Sequence, residues 1–272
     1  MVDPAFERWL TRWGLVVDGP GFSTLFGSKL LPVLKDGEKA MLKIAGHEEE
    51  RRGAALMAWW DGDGAARVLA LEGDALLLER LDGGADLAAM ARAGQDEAAT
   101  AILCDVAGAL HAPRGKPPPA SLVPLETWFS ALWPAAETHG GAFAKAAAAA
   151  RPLLAAPREI VALHGDFHHG NVLDGGPRGW LAIDPKGLIG ERGFEFANLF
   201  RNPDAATALA PGRLARQVEL VAERAGLERA RLLAWILAYA GLGAAWSLQS
   251  GHHKAAETGL AIAELAGAEL KR

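Results

Sequence analysis

The sequence holds a single cysteine, Cys104, so no disulfide can close within the chain, which sets the expectation of a reducing, cytoplasmic setting. It has no basic excess: 28 Lys and Arg stand against 33 Asp and Glu, for a net charge of −5. That balance excludes a nucleic-acid partner, which needs clustered cations to neutralise phosphates, while leaving room for a cationic ligand. The opening stretch MVDPAFERWL has no basic segment followed by an apolar run, so no secretory leader is read there. Long apolar runs are scarce too. The one uncharged stretch of near-membrane length, LLAWILAYAGLGAAWSLQS at 232–250, ends in Ser, Gln and Ser and has no companion. It is read as a buried core helix, and no membrane partner is expected.

What is present describes a globular chain of 272 residues, half of them hydrophobic, long enough for one large domain or two modest ones. The first third reads as β-rich with one helix. Leu15–Val17 is a short strand before the turn cluster Asp18-Gly19-Pro20-Gly21, and Leu30–Leu34 and Ala40–Ile44 form a hairpin around Asp36-Gly37. Glu48–Trp60 has helical spacing, and Ala66–Leu71 and Ala75–Leu81 are two further strands. Beyond Asp82-Gly83-Gly84 the pattern turns helical, over Gln95–His111, Glu126–Glu137, Ala142–Leu154, Arg213–Ala225, Arg229–Leu248 and Lys254–Leu270. Short β-like runs at Ile160–Leu163, Asn171–Leu173 and Trp180–Ile183 interrupt it. The expected organisation is a small β-rich lobe, residues 1–81, and a larger helical lobe, residues 82–272, with a ligand cleft near the junction Glu79–Gly84.

The stretch LHGDFHHGNVL, residues 163–173, gathers three histidines, an aspartate and an asparagine. A zinc site is one reading, and a zinc hydrolase its consequence. His164 and His168 have the separation of a helical metal motif, but Gly165, Gly170 and strand-like flanks oppose a helix. The competing reading takes Asp166, Asn171 five residues on, and Asp184 eighteen beyond Asp166. Phosphoryl transfer needs a carboxylate to orient an attacking hydroxyl, and Mg²⁺ takes hard oxygen ligands such as an Asn amide and an Asp carboxylate. On a strand Trp180–Asp184, alternation would place Trp180, Ala182 and Asp184 on one face. Such a kinase also needs a strand lysine held by a helix glutamate. Lys43 lies in the otherwise apolar AMLKI, where an unpaired ammonium is costly, and Glu50, with Glu48 and Glu49 as competitors, opens the next helix.

LHGDFHHGNVL followed by GWLAIDPKGLIGERGFEFANLFRNP resembles the aminoglycoside phosphotransferases, in the streptomycin 6-phosphotransferase and hydroxyurea phosphotransferase branch. The resemblance runs back through WWDGDGAARVLA, ALLLERL and ILCDVAGALHAP, over most of the chain. It implies an α+β, two-lobed, protein-kinase-like fold. It also implies ATP and Mg²⁺ as cofactors, Asp166 as catalytic base, Asn171 and Asp184 as metal ligands, Lys43 on the ATP phosphates with Glu50 as its partner, and Glu79–Leu81 as the hinge that meets adenine. The loop Phe22–Lys29 would cover the phosphates, although Gly27-Ser28-Lys29 reverses the order of a Walker loop. His-Gly-Asp lacks the arginine that meets a phosphorylated activation loop, so activity without upstream phosphorylation is expected. Glu195 stands where relatives commonly carry Asp.

The implied acceptor is a cationic aminoglycoside, foremost streptomycin. Its guanidinium groups favour carboxylates, for which Glu191, Glu195 and Asp204 are the candidates, with Arg192 and Arg201 as neutralising neighbours. Trp128, Trp133 and Trp246 are read as core side chains that could instead line the acceptor pocket. Hydroxyurea, another small metabolite, or a nucleotide-binding pseudokinase are the alternatives; retention of Lys43, Asp166, Asn171 and Asp184 together argues against the last.

Overall fold

The computed structural model describes residues 3–24 and 27–272. Asp3 accepts the Ala5 N–H and Pro4 supplies a preset φ, which starts helix α1 (Pro4–Trp13); Gly14 ends it in the left-handed region. The sequence reading places no element before Leu15, and these cap residues are the signal it passes over. Two short strands follow, β1 (Val16–Val17) and β2 (Phe22–Ser23), and then the hairpin of β3 (Lys29–Lys35) and β4 (Glu38–Ile44). Its two-residue turn puts both Asp36 and Gly37 at positive φ, as the twist of a tight hairpin requires. Leu25 and Phe26, in the loop Phe22–Lys29 expected to cover phosphates, lie outside the described residues. After helix α2 (Glu48–Trp60), strands β5 (Val68–Glu72) and β6 (Ala75–Glu79) complete an antiparallel sheet of order β1-β3-β4-β6-β5, with β2 also beside β3.

The two-residue period of this sheet decides what each face does. Leu31, Val33, Ala40, Leu42 and Leu77 turn toward Phe6 and Trp9 of α1 and close a small core. Leu30, Met41, Lys43, Leu76 and Leu78 turn the other way and line a cleft. Helix α2 belongs to the larger core behind that cleft, and the indole N–H of Trp60 donates to the Leu110 carbonyl at 3.2 Å.

The rest of the chain is mainly helical: α3 (Leu87–Met90), a π-helical turn (Ala91–Gln95), α4 (Asp96–His111), β7 (Val123–Pro124), α5 (Leu125–Trp128), a 3₁₀ turn (Phe129–Ala131), α6 (Leu132–His139) and α7 (Gly141–Ala155). Then come β8 (Ile160–Leu163), β9 (Val172–Asp174), β10 (Trp180–Ala182), β11 (Leu188–Glu191), a 3₁₀ stretch (Arg192–Arg201), α8 (Ala205–Ala208), α9 (Arg213–Ala225), α10 (Arg229–Gln249) and α11 (His253–Glu269). The helix expected over Glu126–Glu137 is broken in two. Pro134 has no N–H to continue the ladder, and the 3₁₀ turn lets Phe129 sink against Phe194 and Trp235. The uncharged stretch 232–250 falls on α10 up to Gln249, with Ser250 as its C-cap. Helix α10 is the one helix among the described residues long and apolar enough to cross a membrane, and 72% of its most apolar window is buried, packed by α7, α11 and the 3₁₀ stretch.

Candidate active site

The loop between β8 and β9 carries Asp166, and one histidine sets its shape. His164 is fully buried; its Nε2 donates to the Ile183 carbonyl at 2.7 Å and its Nδ1 accepts the Asp166 N–H at 3.2 Å. That pattern selects the neutral Nε2–H tautomer and ties the loop to the segment that bears Asp184. Gly165 sits at φ 84°, where an added Cβ would meet Leu188 at 2.7 Å, so the turn is closed to larger residues. The Asp166 carboxylate accepts from Asn198 Nδ2 at 3.0 Å and from Asn171 Nδ2 at 3.3 Å, and Asn171 Nδ2 also reaches the Asp166 carbonyl at 2.9 Å. With its nitrogen spent on Asp166, Asn171 keeps its carbonyl oxygen for another partner.

Across the cleft, β4 delivers Lys43. Its ammonium contacts the Asp184 carboxylate and lies 3.3 Å from Glu50, so of the three glutamates that open α2 it is Glu50 that pairs with it. Glu50 is itself fixed by the Ser28 hydroxyl and the Gly46 N–H. Burial would raise the carboxyl pKa of Glu50, but these donors and Lys43 hold it below the ordinary value; at Asp184, Lys43 likewise outweighs burial. Asp184 stands at φ 59°, beyond the end of β10 at Ala182. Strand alternation therefore does not aim it as the sequence reading supposed; a left-handed turn does.

Two cavities flank this cluster. One, of about 310 Å³, is walled by Met57, Leu76, Leu78, Leu173 and Ile183, with Lys43, Asn171 and Asp184 at one side and the segment Glu79–Leu81 at another. The Glu79 carboxylate is spent on the Arg67 N–H and on Arg178, and the Glu79 and Arg80 N–H groups donate to the Arg67 and Lys39 carbonyls. The second, of about 930 Å³, holds Asp166, Asn198, Lys186, Arg201, Tyr239, Trp128 and Trp246. Trp128 and Trp246 pack against the core, as read, and also line this cavity, whereas Trp133 packs on Phe129 under Arg151. Lys186 reaches Glu49 at 3.1 Å and Asp166 at 4.0 Å; these carboxylates overcome burial and raise its pKa.

The carboxylates expected to hold a cationic acceptor lie elsewhere. Glu191 is buried and accepts from Arg231, Trp235 Nε1 and the Arg158 N–H, which braces β11 against α10. Glu195 is buried beneath the loop and accepts the His164 and Gly165 N–H groups at 2.7 and 2.9 Å, with His111 at 3.2 Å. Asp204 caps α8 through the Thr207 N–H and pairs with Arg92, which together hold its carboxyl down at about 2. All three are committed to the protein itself. The histidines likewise point apart: His168 Nδ1 accepts the Gly170 N–H, and His169 is buried with Arg213 nearby, its pKa pushed down to about 4, chiefly by burial. Asn198, Lys186 and Tyr239 are site residues that sequence reasoning missed. Their signals were faint: a lone Asn within the apolar run FEFANLF and a Lys directly after Asp-Pro.

Comparison with known proteins adds a lineage. Residues 12–251 match the family model described as aminoglycoside/hydroxyurea antibiotic resistance kinase. A streptomycin 3″-kinase of Klebsiella pneumoniae is 51% identical over 247 residues, 89% of this chain and 92% of that protein. A streptomycin 6-kinase of Streptomyces griseus is 32% identical over 270 residues, 94% of this chain and 86% of that protein. Among solved structures, a thermostable mutant of the aminoglycoside phosphotransferase APH(4)-Ia, in ternary complex with ADP and hygromycin B, superposes with a TM-score of 0.68 at 15% identity, over 97% of this chain and 98% of that one. That likeness establishes a shared kinase-like fold.

Proposed function

The chain belongs to the aminoglycoside/hydroxyurea antibiotic resistance kinase family and is an ATP-dependent phosphotransferase, and on that premise we propose that its acceptor is streptomycin, phosphorylated at the 3″-hydroxyl. The reading is carried by the place of Asp166 in the larger cavity, held by Asn198 of that same cavity and by Asn171, which lines the smaller one. The smaller, apolar one suits adenine, with the segment Glu79–Leu81 along its edge and Lys43 and Asp184 at its phosphate end. The larger one, with Ser130, Asn198, Asn202 and Ser247 in its wall and Arg52, Lys186 and Arg201 facing Asp166 and Glu49, suits a polyhydroxylated acceptor. Its lining carboxylates are Asp166 and Glu49, so guanidinium recognition falls on these and on the rings of Trp128 and Trp246, the face of Tyr239 being taken by Arg201. Higher identity to the 3″-kinase than to the 6-kinase favours the 3″ position over the 6 position that the branch resemblance implied.

In the mechanism so read, Asp166 orients the acceptor hydroxyl and takes its proton, while Asn198 and Asn171 keep the carboxylate in place. Lys43, fixed by Glu50, sets a positive charge against the nucleotide phosphates. Asn171 Oδ1 and the Asp184 carboxylate form a hard-oxygen donor set that suits Mg²⁺, and these two residues would hold it. Bound there, the ion supplies charge neutralisation for the phosphates.

The test is incubation with Mg²⁺-ATP and a panel of streptomycin, other aminoglycosides and hydroxyurea, followed by mass analysis and phosphorus–proton NMR of the product. Streptomycin 3″-phosphate is expected. A 6-phosphate product overturns the regiochemistry, and turnover confined to hydroxyurea overturns the acceptor.

A further inference from the structure

Glu49 and Glu50 are neighbours on α2, yet they hold different lysines. Glu50 takes Lys43 on the nucleotide side, and Glu49 takes Lys186 on the acceptor side. Lys186 is anchored more firmly than a surface ion pair would need. Its N–H donates to the His164 carbonyl at 2.6 Å and its carbonyl accepts from Arg52 Nε at 3.1 Å. The residues on either side press against α2: a Cβ on Gly53 would lie 2.0 Å from the Pro185 carbonyl oxygen, and one on Gly187 would lie 2.7 Å from Arg52. The segment after Asp184 is thus fixed to α2 and to the loop of Asp166, and Lys186 Nζ lies 4.0 Å from Asp166 Oδ2. The other basic group near that carboxylate, His168 at 3.7 Å, uses Nδ1 as an acceptor for the Gly170 N–H, which requires a neutral ring. Arg201 is turned to the face of Tyr239. Among the described residues, Lys186 is the permanent cation within 4.0 Å of the Asp166 carboxylate.

We infer that Lys186 is a further catalytic residue, its ammonium donating to oxygens of the transferring phosphoryl group from the acceptor side, and that Glu49 is its positioning residue. The inference rests on phosphoryl transfer at Asp166. In that step the acceptor oxygen bonds to the γ-phosphorus and its proton passes to Asp166. The bond from the γ-phosphorus to the bridging oxygen breaks, and its electron pair leaves on ADP. Charge is spread over the three oxygens of the group in flight. Lys43 meets that charge from the nucleotide side, and Lys186 from the opposite one.

Steady-state kinetics on the full chain, with nucleotide affinity measured separately by titration, test this with Lys186→Met, Lys186→Arg, Glu49→Gln and the double variant Lys186→Met/Glu49→Gln. Lys186→Met is expected to lower kcat about a hundredfold while the Kd for ATP stays within about threefold, because the lost contact belongs to the transition state. Lys186→Arg should recover about tenfold of that loss, and Glu49→Gln should cost about tenfold alone but nothing further in the Lys186→Met background. A kcat for Lys186→Met within about threefold of the parent overturns the inference, as does a loss shared equally by ATP affinity and melting temperature, which marks a strut. If Lys186→Met does not fold, the inference stands or falls on Lys186→Arg and Glu49→Gln: it fails if both keep the parent kcat. Failure of the streptomycin reading shows separately, as a parent enzyme that does not phosphorylate streptomycin; the same variants are then compared by hydrolysis of Mg²⁺-ATP.

Discussion

Asp166 needs three neighbours to be useful: Asn198 and Asn171 hold its carboxylate, and the His164 ring holds its backbone. Asp166→Asn keeps the shape but cannot accept the acceptor's proton, so kcat is expected to fall by about 10³-fold with ATP affinity nearly unchanged; near-normal turnover would remove Asp166 from the role of base. Beneath it, Glu195 works on the loop rather than on substrate. Burial alone would raise its carboxyl pKa, but His111 and the Gly165 N–H hold it below the ordinary value. The unfolded chain protonates this carboxyl at about 4.3, so its contribution is complete above that pH and is lost as pH falls through the depressed folded value. Glu195→Gln turns an amide nitrogen toward backbone donors and is expected to cost about 3 kcal/mol at neutral pH, a gap that narrows below about pH 4 in urea denaturation. A gap constant with pH would contradict that account. The His-x-Asp spacing was legible because one loop supplies all its members. The task of Glu195 was not, because its partners come from α4 and the loop ahead of it.

Helix α2 is the element on which the site turns. Its opening glutamates divide three ways: Glu48 to Arg51, Glu49 to Lys186 and Glu50 to Lys43. One turn later Gly53 admits the Pro185 backbone. Gly53→Ala raises intrinsic helix stability by about 1 kcal/mol, yet its Cβ has no room against Pro185. The clash should win, with a net loss of about 2 kcal/mol and of about tenfold in kcat, read by chemical denaturation and steady-state kinetics. An Ala variant as stable and active as the parent would show that the segment yields without cost. The limits of α2 were readable from its periodicity, as was the β3–β4 hairpin from Asp36-Gly37. The break at Phe129–Ala131 was not, because the burial of Phe129 against Phe194 and Trp235 depends on residues far away in sequence.

At the scale of the molecule, the cavity proposed for the nucleotide draws its walls from the sheet, from α2 and from the β9–β10 hairpin, so a ligand there joins regions that the chain brings together only by folding. Mg²⁺-ATP at about a hundred times its Kd should stabilise the protein by about 2.7 kcal/mol and raise the melting temperature by roughly 5 °C. Lys43→Ala or Asp184→Asn should abolish the shift, measured by differential scanning fluorimetry; an undiminished shift in both would place the nucleotide elsewhere. The sequence alone determined the kinase class, because Asp166, Asn171 and the strand lysine are set by short-range spacing and by the cost of an ammonium in an apolar strand. Only the tertiary structure decided which acidic groups remain available. Glu191, Glu195 and Asp204 stand near the loop in sequence, but each is consumed by donors that folding delivers from other elements. Lys186, one position past Asp184-Pro185, is carried instead to the side of Asp166. Spacing along a chain fixes what a single loop can hold; which charges are paired and which are free depends on contacts between elements that no local pattern encodes.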